Sequence, residues 1–155
     1  MNQASNTDQI ERSILINASA ERVWRALSTP QEFGAWFGVK LEGEQFSPGH
    51  HARGPITIAG FEHVIFNAWV ERMEAPSLLS YRWHPYAIDA EVDYSGEECT
   101  LVTFTLQPSG DGATLLTVVE SGFDKVPAHR RADAFHMNSK GWEGQLRNIE
   151  RYVTQ

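Results

Sequence analysis

The stretch from Pro127 to Val153 restricts the fold of this chain more than any other feature. It reads as one helix, about 40 Å long at 1.5 Å per residue. Phe135, Trp142, Leu146, Ile149 and Val153 fall on one face at 100° per residue. Asn138 and Ser139 share that face, while Lys140, Arg147 and Arg151 lie opposite. A helix of this length with an aromatic, partly polar inner face requires a large concave partner. In a chain of 155 residues, the rest of a single domain must supply it.

Residues 10–121 carry the signals for that partner. Ile10 to Asn17 alternates as a strand. Ser19 caps a short helix in which Ala20, Val23, Trp24 and Leu27 share one face. Thr29, Pro30 and Glu32 mark a second helix start, with Glu32 completing a capping box and Gly38 as the stop. Strands are then predicted over Val39 to Phe46, Ala52 to Ile58, Phe61 to Met73, Leu79 to Trp83, Thr100 to Gln107 and Ala113 to Ser121. The apolar residues of the third of these change parity between Phe66 and Met73, which predicts a bulge. Residues 84–95 read as a loop or lid. The order β, α, α, several antiparallel strands and a long α defines an α+β fold. Its physical solution is a curved antiparallel sheet of six to seven strands wrapped on the long helix. One helix cannot fill such a concave face, so a cavity is expected at one end.

Charge and cysteine content narrow the function. A net charge of −7 opposes binding to phosphate backbones and to anionic membranes. The single cysteine, Cys99, forbids an internal disulfide and reads as structural, with no His or cation beside it in sequence. Residues 1–9 form a polar tail with no apolar run, so a single cytoplasmic domain over residues 10–155 is expected. The six histidines show no ligand spacing, so no metal or other cofactor is expected. Asp89, Glu91 and Asp93 lack the glycine and distal Glu of a calcium loop.

Several motifs, in order, resemble the activator of heat-shock-protein-90 ATPase-like family of the START-like (SRPBCC, helix-grip) superfamily. These are Ala18 to Leu27, Trp36-Phe37-Gly38, Ser47-Pro48-Gly49, Val70 to Pro76 with Leu79, Tyr81 and Trp83, Gly112 to Thr117, Glu120 to Phe123, and Gly141-Trp142 with Leu146 and Tyr152. The resemblance covers Ile10 to Val153. It implies the helix-grip fold and a cavity that takes lipids, hormones or polyketide-like molecules. It also implies two alternatives, a cofactor-free cyclase or hydrolase and a heat-shock-protein-90 cofactor in the stress response. No counterpart of the founding member's separate N-terminal domain is expected, since nine polar residues precede the first strand.

The expected function is binding of a small apolar or amphipathic molecule between sheet and helix. The expected lining is Phe135, Asn138, Ser139 and Trp142 from the helix and Tyr81, Trp83 and Phe104 from the sheet, with Trp36 and Phe37 closing one end. For any single aromatic, filling the core is the commoner role. The polar pair Asn138 and Ser139 on an apolar face is more informative, because such groups need partners. Acid–base catalysis requires a buried titratable group, and none is placed inside by this reading. Gly141 is expected to allow either close approach to the sheet or a bend in the helix, and Gly144 has no account from the sequence. Both a monomer and a dimer paired through an edge strand fit the sequence.

Overall fold

The computed structural model describes residues 7–155, so most of the expected tail lies outside the described residues. The elements are β1 (Gln9–Ile16), α1 (Ala20–Ser28), α2 (Pro30–Phe37), β2 (His51–Pro55), β3 (Ile65–Glu74), β4 (Leu78–Trp83), β5 (Thr100–Ser109), β6 (Ala113–Ser121) and α3 (Ala128–Thr154), with one 3-10 turn at Phe123–Lys125. The six strands form one sheet in the order β1-β6-β5-β4-β3-β2. Every neighbouring pair is antiparallel. With two short helices after the first strand and α3 across the concave face, this is the helix-grip α+β fold.

Alternation places the inner surface. Val102, Phe104 and Leu106 of β5 are buried, as are Thr114, Leu116, Val118 and Glu120 of β6. They meet Trp142, Leu146, Ile149 and Val153 of α3 in one continuous core. The expected bulge lies in β3, where the register with β4 shifts between Val70 and Arg72. Ser19 caps α1 by accepting from the Arg22 N–H at 3.2 Å. Asp8 is tied down, its carbonyl accepting from the Gly122 and Phe123 N–H groups at 3.1 and 3.0 Å.

Three local expectations are corrected. Thr29 precedes α2 without a side-chain capping bond. Glu32 turns instead to Arg22 at 2.7 Å and Arg25 at 3.1 Å, because two guanidinium groups attract a carboxylate more strongly than one neutral N–H. The predicted strand over residues 39–46 is irregular chain, bent at Gly43, with a single bridge, Val39 to Ile56. Its Val39, Leu41 and Phe46 side chains are buried, so the apolar pattern is satisfied by packing rather than by a ladder. The third predicted strand likewise begins only at Ile65, after a turn.

The start of this segment is clamped between two glycines. A Cβ on Gly34 would lie 2.2 Å from the Val39 carbonyl oxygen, and one on Gly54 would lie 1.9 Å from that of Lys40. Backbone rather than a flexible side chain blocks both positions. Gly54→Ala therefore costs about 1–3 kcal/mol, read as a lower urea midpoint. Gly144 is the contrasting case, since a Cβ there meets nothing within 4 Å. Gly144→Ala raises stability by about 0.5–1 kcal/mol through helix propensity alone. Equal midpoints for these two variants would refute the clamp.

Candidate ligand cavity

The inner face of the sheet ends in a carboxylate. Period-2 alternation along β6 turns Glu120 inward after Thr114, Leu116 and Val118, and it is 0% exposed. Register brings its partners alongside: Glu120 faces Val102 on β5, and Trp83 of β4 faces Thr100 at the start of β5. Helix α3 adds Asn138 and Trp142, one turn apart on the face toward the sheet.

All four side chains donate to the one carboxylate. Oε2 accepts from Trp83 Nε1 at 2.7 Å and from Thr100 Oγ1 at 2.6 Å. Oε1 accepts from Asn138 Nδ2 at 2.9 Å and from Trp142 Nε1 at 2.8 Å. Four donors on two oxygens saturate an ionised carboxylate. Burial pushes the Glu120 carboxyl above its ordinary pKa, and the bonds from Thr100, Trp83, Trp142 and Asn138 pull it back. The Tyr81 hydroxyl, buried without a hydrogen-bond partner, is raised well above its usual value by burial first and by the Glu120 charge second.

In front of this cluster opens a cavity of about 760 Å³ between α3, β3 and the loop over residues 84–99. Phe37, Phe66, Trp83 and Trp142 form its inner wall. Their rings pack edge to face or tilted, with Trp83 and Trp142 5.8 Å apart and Phe37 and Phe66 5.3 Å apart. Asn138, Gly141 and Gln145 line the α3 side. The loop is anchored by Arg130, which bonds Glu97 at 2.6 Å and the Pro85 carbonyl at 2.7 Å and lies over the Tyr94 ring at 4.8 Å. Tyr86, on the cavity, sits in the left-handed region at φ 52°, a conformation that needs support from its surroundings.

Of the nine residues singled out from sequence, Phe37, Trp83, Asn138 and Trp142 line the cavity. The other five are placed elsewhere. Trp36 is buried between α1 and α2 and donates to the Ala26 carbonyl at 2.8 Å. Tyr81 and Phe104 lie in the core behind the aromatic wall. Phe135 packs edge-on against Phe123 at 5.2 Å, under the 3-10 turn. Ser139 bonds back to the Phe135 carbonyl at 2.8 Å, so its hydroxyl is satisfied within its own helix. Gly141 lines the cavity, and a Cβ there meets nothing within 4 Å, so close approach to the sheet is not its role.

Sequence reasoning missed Glu120 as the buried titratable group. The signal was present, because alternation along Ala113 to Ser121 places it inward with Leu116 and Val118. It also missed Cys99 beside His84, at 3.6 Å from Nε2. Burial raises the Cys99 thiol, with Arg82 opposing and Glu98 adding to the rise.

The family model described as Activator of Hsp90 ATPase homolog 1-like protein matches residues 17–154. The chain belongs to this family. Among solved structures it is similar to protein MLL2253 from Mesorhizobium loti, with 27% identity, a TM-score of 0.72, and coverage of 94% of this chain and 96% of that one. It shares the fold of CV1439 from Chromobacterium violaceum, at 20% identity, TM-score 0.71 and coverage of 96% and 98%. It also shares that of CalU16 from Micromonospora echinospora, at 20% identity, TM-score 0.63 and coverage of 94% and 75%. No curated protein matches the chain. Among the described residues, no helix is long and apolar enough to cross a membrane, and no three His, Cys, Asp or Glu side chains converge to hold a metal.

Glu120→Gln keeps the size and removes the charge, placing an amide N–H against a donor. It is expected to cost about 3 kcal/mol in urea unfolding, the scale of charge-assisted bonds lost in a buried site, and to alter the Trp emission of the native state. A native pKa raised above the ordinary 4.5 means that the folded state takes up the Glu120 proton first. Its contribution to stability therefore falls as pH rises from 4.5 through the raised native value, and is flat above it. The stability difference between wild type and Glu120→Gln, followed against pH, should show this slope, and a flat difference would sink it.

Proposed function

We propose that this protein binds a small apolar or amphipathic molecule in the cavity between its sheet and α3. One observation carries the reading. Seven large apolar side chains stand exposed among the described residues, and six of them, Ile58, Phe61, Ile65, Trp69, Val92 and Met137, line this one cavity. Scattered exposed apolar residues need no explanation, but their concentration at a concave mouth supports a binding site. Behind the rim lies an aromatic wall, with the Asn138 and Gln145 amides as polar contacts on α3. The cavity volume falls inside the range of about 300–1,000 Å³ usual for small-molecule sites.

The alternative of acid–base catalysis has less support. Glu120 lies behind Trp83 and Trp142 with four donors on its two oxygens, so it acts on the wall rather than on a bound molecule. The family's name refers to activation of the Hsp90 ATPase, which would be a surface activity.

Native mass spectrometry of protein from its own source, followed by organic extraction, should give a stoichiometric added mass. Titration with the neutral dye Nile red should show one saturable site. Met137→Gln and Val92→Ser each remove about 1–1.5 kcal/mol of apolar contact, so each should weaken Nile red binding about 5–10-fold. Both positions are exposed, so stability should stay within about 0.5 kcal/mol of wild type. A clean apo mass together with no saturable dye site would overturn the reading, and stimulation of the Hsp90 ATPase in that case would move function to the surface.

A further inference from the structure

The charge distribution around the cavity is one-sided. Residues 84–98, of which the part up to Ser95 supplies the outer wall, hold Asp89, Glu91, Asp93, Glu97 and Glu98 and no Lys or Arg. Asp89 and Asp93 line the cavity itself, and among the described residues no Lys or Arg side chain does. The guanidinium nearest this loop, Arg130, is committed to Glu97 and the Pro85 carbonyl. The remaining ionisable groups on the wall are the imidazoles of His63 and His84 and the hydroxyls of Tyr86 and Tyr94. His84 is already engaged, its Nε2 lying 3.0 Å from the Glu97 carbonyl.

The inner wall adds no cation. Glu120 behind it is matched by four neutral donors and, among the described residues, by no cation. Two of the donors are the indole N–H groups of Trp83 and Trp142, whose rings form the wall. Donation to a carboxylate pushes electron density into an indole and makes its face a better seat for a cation. A bound carboxylate or sulfate would meet Asp89 and Asp93 without a Lys or Arg on the wall to pair with.

We infer that the cavity selects an organic cation, an aromatic or alicyclic body carrying an amine or quaternary ammonium group, over neutral and anionic molecules of the same shape. The inference rests on the ligand-binding reading above and names the ligand class for that site. The apolar body lies on the Phe37, Phe66, Trp83 and Trp142 wall, and the ammonium group points toward Asp89 and Asp93. Asp93 is held ionised by its bonds with Ser95, which lower its pKa. Asp89 accepts from the Glu91 N–H at 3.0 Å. Asparagine keeps such an acceptor at either position, so Asp89→Asn and Asp93→Asn change charge with little change of loop geometry.

The test uses three probes of one shape: (1-naphthylmethyl)trimethylammonium, 1-naphthylmethanol and 1-naphthylacetate. Each is titrated by quenching of Trp emission, with Nile red competition as a second readout. The cation should bind at least tenfold tighter than the alcohol, and the acetate weakest. Added salt should weaken the cation several-fold and leave the alcohol within twofold. The double variant Asp89→Asn/Asp93→Asn should lose about three- to tenfold for the cation while the alcohol again stays within twofold, which also shows that the fold survives. Equal affinities, or a preference for the acetate, would overturn the inference while leaving the ligand reading intact. Binding of Nile red but of none of the three probes would overturn it too. Failure of Nile red together with all three probes would remove the ligand reading on which it rests.

Discussion

One carboxylate joins the layers of this fold. Glu120 comes from β6, and its four donors come from β4, β5 and α3. Apart from a long, exposed Arg12–Glu143 ion pair at 3.8 Å, sheet and helix are otherwise held together by apolar packing, which is strong but weakly directional. A charge taken out of water is costly unless its hydrogen-bonding sites are filled, and here all are filled by groups from separate elements. The cluster therefore acts as a positional constraint. It sets the rotation of α3 about its own axis and the rotamers of two indoles at once. Trp142 is for this reason both a core residue and part of the cavity wall, and its replacement acts on stability as well as on binding.

That constraint makes the cavity asymmetric. Its inner wall is fixed, with indole N–H groups bonded from behind and ring faces packed on Phe37 and Phe66. Its rim is apolar and exposed, supplied by the turn before β3, by Trp69, and by the acidic loop over residues 84–99. The loop is tied to α3 chiefly through Arg130.

Much of the architecture was legible in residue patterns. The long helix followed from the spacing of Trp142, Leu146, Ile149 and Val153, and its observed bounds differ by one residue at each end. The bulge in β3 followed from the parity change after Phe66. The irregular stretch over residues 39–46 did not, because an apolar pattern reports burial and not the presence of a pairing partner. Close approach of Gly34 and Gly54 decides that point. In the site, Asn138 was legible as a polar residue needing a partner, while its neighbour Ser139 was misleading, since a serine hydroxyl can be satisfied by the carbonyl one turn back.

The sequence by itself determined the element order, the inward faces and the family, because these depend on periodicities of 2 and 3.6 residues and on local motifs. Only the tertiary structure decided which aromatic side chains face open space and which fill the core. Trp36, Tyr81 and Phe104 are as apolar as Phe37, Trp83 and Trp142, and only the curvature of the sheet and the rotation of α3 separate the two groups. Only the tertiary structure, likewise, made Glu120 a hub. Alternation turns it inward, but its meaning lies in four donors distant from it in the chain, which meet only when the sheet closes on the helix.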